Sequence, residues 1–465
     1  MNFFKNLEKF NSNNCLSDEN IKKFSYKDII QKSEKINEDL DSEGLVIVLA
    51  NNHVDFVTSY LSFFRKGVVQ MLVNPKIDKK QLEEIIKNYN PKYILFPNDR
   101  INEFKDTKII YKLEKHNIAE LHNENSYAMN KDLTLLLGTS GSTGSKKFVR
   151  VSYENIYENT KSIVKFLNIK ENHKTITTMP PFYVYGLSLI NTHLYAGASI
   201  LVTKSQVVEK NFWRLMHEAK ITSFAGVPFF YEILKKINFH KINLPDLQYF
   251  TQAGGPLKKN LIKYFLNFSI KNNKKFIVMY GQTEATARMT YLPFKMAKKK
   301  IGSIGIPIPG GKINLKSKKS LDDKEGEIVF NGKNVSLGYA QNYSDLKRGD
   351  DNKGKLFTGD LGKKDKDGYF YITGRKSRNI KLFGHRVNMD DLENILQKKG
   401  FNCICHGIDN KVTIFYKEKK DEKKILNYIK ATTRFDKTCF KLLFIKKFPF
   451  NENGKISYKK LNKYL

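Results

Sequence analysis

The stretch Leu135-Leu136-Leu137-Gly138-Thr139-Ser140-Gly141-Ser142-Thr143-Gly144-Ser145-Lys146-Lys147 constrains this chain more than any other. An apolar run suited to a buried strand stops at Gly138 and gives way to glycines and hydroxyl residues, then to two lysines. Glycine lets the backbone pass close to a ligand and adopt positive φ. Consecutive N–H groups in such a turn form a concave anion site, to which Ser and Thr hydroxyls add donors. The lysines bring the charge an oligophosphate requires. A GxxxxGK[ST] loop is excluded, because counting that spacing from Gly138 meets Thr143, and from Gly141 meets Lys146. A flexible Gly/Ser linker is the other reading. A strand feeding straight into the loop favours a phosphate site outside the Walker class.

The flanking sequence supplies a scaffold for such a loop. Ser25 can cap an amphipathic helix from Tyr26 towards Leu40. Leu45–Leu49 reads as a buried strand, Val54–Lys66 as a helix and Val68–Val73 as a strand. Asp78 then caps a helix to about Lys87, Tyr93–Phe96 is a further strand, and Ser152 starts a helix through about Leu167. Strands alternating with helices imply a largely parallel, helix-covered sheet, which binds ligands beyond its strand ends.

Composition narrows the class. With 465 residues, 40% hydrophobic and 12% aromatic, the chain can bury two or more cores. No apolar run approaches the roughly 20 residues of a membrane helix. The start, Met1-Asn2-Phe3-Phe4-Lys5, meets charge too early for a signal peptide, and four cysteines offer no disulfide framework. A cytoplasmic protein is the expectation. Cys403-Ile404-Cys405-His406 fits neither CxxC nor CxxCH, and alternating side chains on a strand account for it. The net charge of +34 comes from lysine spread over the whole chain, so runs such as Lys298-Lys299-Lys300 read as solvated faces. No nucleic-acid module accompanies them. Such a surface still favours anionic partners, an acidic carrier protein among them.

Four further turns follow apolar runs. Met179-Pro180-Pro181-Phe182-Tyr183-Val184-Tyr185-Gly186 is aromatic and proline-stiffened, and leads into a helix ending near Gly197. Phe224-Ala225-Gly226-Val227-Pro228, Thr251-Gln252-Ala253-Gly254-Gly255-Pro256 and Tyr280-Gly281-Gln282-Thr283-Glu284 are the others. Each alone is ordinary turn chemistry; together they suggest one crowded ligand cleft.

The loop at Thr139 to Lys147, the Tyr280 to Glu284 run, Thr358-Gly359-Asp360, Gly374-Arg375 through Gly384-His385-Arg386-Val387, and Asn453-Gly454-Lys455 resemble, in order, motifs of the acyl-adenylate-forming superfamily. That superfamily includes acyl-CoA synthetases and adenylation domains. The resemblance implies an α/β fold. A large N-terminal domain of helix-covered β-sheets plus a β-barrel-like subdomain would span 1–376. A small α+β C-terminal domain would span 377–465, on a hinge at Ser377.

It also implies roles. Thr139, Ser140, Gly141, Ser142, Thr143, Gly144 and Lys147 would hold the β- and γ-phosphates of ATP. Gly254, Gly255 and Pro256 would lie beside adenine, with Tyr280 stacked on it and Gly281 and Gln282 in the same wall. Thr283 would contact the α-phosphate and Glu284 would bind Mg²⁺. Asp360 would accept from both ribose hydroxyls, and Arg375 would reach the ribose and phosphate side. Lys455 would carry the first half-reaction by neutralising two approaching anions, as a preorganised donor does. Tyr183, Tyr185, Gly186, Val227 and Gly281 would line the acid site; the turn lacks the aspartate that commonly binds an amino acid's ammonium group. A non-amino carboxylic acid is therefore favoured, with CoA or a carrier-protein phosphopantetheine as thiol acceptor and no nucleic-acid or membrane partner. Three departures from the family pattern stand out: Lys146 for proline, Phe148 for glycine and Ser377 for Asp or Lys. Transfer to a non-thiol acceptor, or a silent binding protein of the same fold, are the alternatives.

Overall fold

The computed structural model describes residues 3–41, 44–121, 127–138, 147–316, 325–382, 385–408, 410–432, 437–450 and 456–464. It divides into two compact units, residues 1–312 with 331–356, and residues 313–330 with 357–465.

The first unit is built on two large sheets. One has eight strands, with Leu133–Gly138, Val69–Val73, Leu45–Leu49 and Tyr93–Pro97 parallel at its centre. Central parallel strands are covered on both faces, and the Leu45–Leu49 strand shows how. Val46 and Val48 enter one apolar cluster, while Leu45, Ile47 and Leu49 enter another on the opposite face. The nine-stranded sheet runs parallel through Lys174–Ile176, Ser223–Gly226, Tyr249–Gln252 and Lys275–Tyr280. Helices Tyr26–Glu38, Val54–Lys66, Tyr153–Leu167 and Val184–Ala196 supply residues to the cluster that includes both Val46 and Ile200, joining the two sheets.

Local chemistry sets the helix ends where the sequence places them. Ser25 and Ser152 each close a capping box with the residue three positions on, and Asp78 accepts from the Gln81 amide. Gly197 ends its helix in the left-handed conformation. One expectation needs correcting: both sheets are mixed, because antiparallel strands close their edges. Phe148–Ser152 turns back along Leu133–Gly138, and Thr290–Tyr291 turns back along Lys275–Tyr280. The glycine-rich segment therefore falls, in sequence, between two antiparallel strands.

The second unit carries a four-stranded sheet of Lys312–Lys316, Glu325–Asn331, Lys355–Lys364 and Phe370–Arg375. Beyond it come a hairpin, Asn379–Leu382 with His385–Asn388, and the helix Met389–Lys398. A three-stranded sheet follows, Cys403–Ile408, Lys411–Tyr416 and Phe440–Phe444. Cys403 and Cys405 enter one apolar cluster and Ile404 another, the alternation expected of a strand. All four cysteines are buried thiols. Among the described residues, no helix is long and apolar enough to cross a membrane.

Candidate active site

Three of the turns singled out in the sequence lie side by side because their strands do. Ser223–Gly226, Tyr249–Gln252 and Lys275–Tyr280 are adjacent and parallel, with Gly226 opposite Gln252 and Gln252 opposite Val278. Their C-terminal ends therefore release Val227, Gly254–Pro256 and Gly281–Glu284 along one edge, where open α/β sheets bind ligands. The Lys174–Ile176 strand neighbours them and leads to the Pro180 turn.

Glycine is required in two of these turns. Gly254 has φ +84°, and a Cβ there would lie 2.7 Å from the Tyr183 hydroxyl and 3.1 Å from Val227 Cγ1. A Cβ on Gly281 would lie 1.8 Å from the Ala287 carbonyl oxygen and 2.8 Å from Arg288 Cα. The backbone thus doubles back after Glu284, with Thr286 and Ala287 both at positive φ. Two asparagines hold it there. Asn334 Nδ2 donates to the Ala285 and Arg288 carbonyls at 2.8 and 3.1 Å, and Asn159 Nδ2 donates to the Arg288 carbonyl at 2.9 Å.

Thr283 is buried and Glu284 half-buried on this turn. Tyr339 donates its hydroxyl to Glu284 Oε1 at 2.8 Å, and the Lys147 ammonium sits 3.4 Å from the centre of the same ring. The base of the glycine-rich segment, where Gly138 pairs with Phe148, is in this way tied to the candidate metal-binding carboxylate. A single carboxylate beside a threonine hydroxyl suits Mg²⁺, which takes one or two protein oxygens and completes its shell with water and phosphate. Burial, and then the Glu284 charge, push the Tyr339 phenol well above its ordinary range, so it remains a donor.

Tyr183, Tyr185 and Val227 meet in one buried cluster with Met179, Ala253 and Met279. Tyr185 donates to the Thr251 carbonyl at 3.0 Å, while the Arg288 guanidinium lies 3.8 Å from its ring centre. Burial pushes the Tyr183 phenol up to about 12 and raises Tyr185 as well, so both rings are neutral. Gly186 packs against the Pro180 and Met179 carbonyls, at 2.4 and 2.8 Å from a Cβ built on it, and so fixes the entry of the Val184–Ala196 helix.

In the second unit Asp360 faces Arg375 across neighbouring strands, and Arg375 Nε lies 3.1 Å from Asp360 Oδ1. Thr358 Oγ1 donates to the Ile328 carbonyl at 2.8 Å and accepts from the Asp360 amide at 3.1 Å, which fixes that carboxylate's backbone. Just past Ser377, Arg378 pairs with Asp390 and with Glu393 Oε1, the latter at 2.6 Å, and its guanidinium covers Tyr458 at 4.4 Å. Thr139, Ser140, Gly141, Ser142, Thr143, Gly144, Lys146, Gly384 and Lys455 lie outside the described residues, as does the side chain of Ser377.

Sequence reasoning missed Tyr339 and Arg288. Tyr339 sits on a three-residue edge strand with no periodic signal. Arg288 could have been noticed as the one charge in the run Ala285 to Pro293.

A family model described as AMP-binding enzyme matches residues 3–340. Among curated relatives, a 2-succinylbenzoate–CoA ligase of Oceanobacillus iheyensis is 26% identical over 391 residues, 80% of this chain and 78% of that protein. A D-alanine–D-alanyl carrier protein ligase of Listeria welshimeri is 26% identical over 494 aligned residues, 95% of this chain and 94% of the relative. The solved structure of o-succinylbenzoate CoA synthetase from Bacillus subtilis with ATP and a magnesium ion superposes with a TM-score of 0.79, at 19% identity, over 99% of each chain. That likeness is one of fold. With a family model over most of its length and the glycine, tyrosine–glutamate and aspartate motifs in sequence order, the chain belongs to the AMP-binding, acyl-adenylate-forming superfamily of ligases.

Proposed function

We propose that this protein activates a carboxylic acid as an acyl-AMP at the expense of ATP, releases pyrophosphate, and passes the acyl group to a thiol. The observation that carries the reading is the tie between Lys147, Tyr339 and Glu284. It brings the foot of a glycine- and hydroxyl-rich segment to a carboxylate suited to a phosphate-bound Mg²⁺. The ion would neutralise phosphate charge when bound.

The rest of the assignment follows the chain's own side chains. Thr283 supports the α-phosphate, Tyr280 the adenine beside Gly254, Gly255 and Pro256, and Asp360 the ribose with Arg375 next to it. Lys455 would neutralise the attacking carboxylate and the α-phosphate, two anions that otherwise repel. Residues 377–465 would turn on a hinge at Ser377 between the two half-reactions, and the four-stranded sheet would belong to a barrel-like subdomain. The acid carries no α-amino group, since Phe182 to Gly186 offers no carboxylate to pair with one. The acceptor is CoA or a carrier-borne phosphopantetheine. Alignment with a carrier protein ligase over 95% of this chain supports the second, as does a net charge of +34, which attracts acidic partners. The reaction is placed in the cytoplasm.

ATP–pyrophosphate exchange with a panel of carboxylic acids tests the reading. Lys455→Ala should abolish acid-dependent exchange while sparing thioester formation from supplied acyl-AMP. Equal loss of both steps would refute the role given to Lys455, and no exchange with any acid would refute the function.

A further inference from the structure

Arg288 is 3% exposed, and among the described residues no carboxylate pairs with its guanidinium. Its Nε has no hydrogen-bond partner. Other sequestered arginines among the described residues are differently placed. Arg150, fully buried, pairs with Asp351 at 2.6 Å, and Arg378 pairs with Glu393 and Asp390. Burying a guanidinium without a counter-charge is costly, so an unmatched one inside a cleft points to an anion supplied from outside.

The surroundings say where that anion comes from. Arg288 Cα lies against Gly281, and the guanidinium lies over Tyr185, both residues of the proposed acid site. Arg288 and Tyr185 line a mostly apolar cavity with Leu189, Phe224, Met279 and Thr251, in which the guanidinium is the one charged group. About 20 Å³ of it is open to the centres of water-sized groups. One water requires about 10–15 Å³, so the space admits a compact terminal group and no long aliphatic tail. The neutral tyrosines cannot serve as counter-ions.

We infer that Arg288 is a specificity-determining residue that binds a second carboxylate on the acid substrate, so that the protein activates a short dicarboxylic acid through the carboxylate at the other end. The inference rests on the adenylation reading above. It uses the donor geometry of guanidinium, which matches a carboxylate with two parallel N–H groups. A site that buries such a donor rejects an analogue lacking the acceptor far more strongly than one that merely measures length.

The test is ATP–pyrophosphate exchange with chain-matched pairs, succinate against butyrate and glutarate against pentanoate. The intact protein should favour a diacid by about 100-fold or more in kcat/KM. Arg288→Met should lose that diacid by at least about 100-fold and keep or gain the matched monoacid; Arg288→Lys should retain part of the preference. Thermal melting with and without ATP reports whether each variant is folded. Should Arg288→Met fail to fold, the intact protein's own diacid-to-monoacid ratio and the Arg288→Lys ratio decide. Exchange driven better by monoacids in the intact protein, or equal loss of both acids in Arg288→Met, would overturn the inference and leave the adenylation reading standing. Exchange with no acid at all would overturn both.

Discussion

Gly281→Ala tests the geometry of the site without removing any functional group. The new methyl carbon would start 1.8 Å from the Ala287 carbonyl oxygen, 2.7 Å from its carbon and 2.8 Å from Arg288 Cα, all backbone atoms. Relief to the closest tolerable contact, near 3.0 Å, requires a shift of about 1.2 Å between the two arms of the turn. Neither arm yields readily. Asn334 and Asn159 clamp the Ala285 and Arg288 carbonyls, and the Glu284 carbonyl accepts from the Ser336 amide at 2.9 Å. Overpacking of this kind costs about 1–3 kcal/mol in stability. A displacement near 1 Å of positioned groups costs about 10²-fold in rate, equivalent to about 2.7 kcal/mol in the barrier. Because the turn carries Thr283 and Glu284, ATP–pyrophosphate exchange should fall by about 100-fold while the protein stays folded. Gly349→Ala is the control: nothing lies within 4 Å of its Cβ position, and it should behave as the parent. Exchange by Gly281→Ala within threefold of the parent, with an unchanged melting curve, would refute the close approach as a determinant of activity.

Two further outcomes follow from buried charge. Arg378→Met leaves Glu393, a carboxylate with a 13% exposed side chain, without its partner, and should destabilise the second unit by about 3–5 kcal/mol. Amide exchange in the Met389–Lys398 and Cys403–Ile408 elements measures this, and the double variant Arg378→Met, Glu393→Met should recover most of the loss. Burial pulls the His193 imidazole from its ordinary 6.5 down to about 4. The unfolded chain therefore takes up this proton near pH 6.5 and the folded chain only near pH 4, so stability is complete above about 6.5 and falls as pH drops to 4, by up to about 3 kcal/mol. Urea melts at pH 7, 5.5 and 4.5 should show His193→Asn to be flatter than the parent; parallel curves would refute it.

What was legible in the sequence was whatever depends on neighbours along the chain. The helices capped by Ser25, Asp78 and Ser152 start where those side chains can reach the first amides, and the Leu45–Leu49 strand is buried on both faces as its unbroken apolar run demands. The edges of the sheets were not legible. Phe148–Ser152 alternates too briefly to be told from a loop, and it becomes a strand because Leu133–Gly138 offers it a ladder. The proposed acid site was half legible for a related reason. Tyr183, Tyr185 and Val227 announce themselves as aromatic or apolar residues in turns, and the structure gathers them into one cluster. Arg288 does not, because a pattern that sorts residues into inside and outside assigns an arginine to the surface. Its position follows from Gly281: only with no side chain there can the segment that carries Arg288 fold back far enough to bring the guanidinium over Tyr185. A glycine readable as a turn residue thus sets the depth of a charge that is not readable at all. For this reason the substrate preference proposed for Arg288 and the activity loss expected of Gly281→Ala are two consequences of one backbone contact.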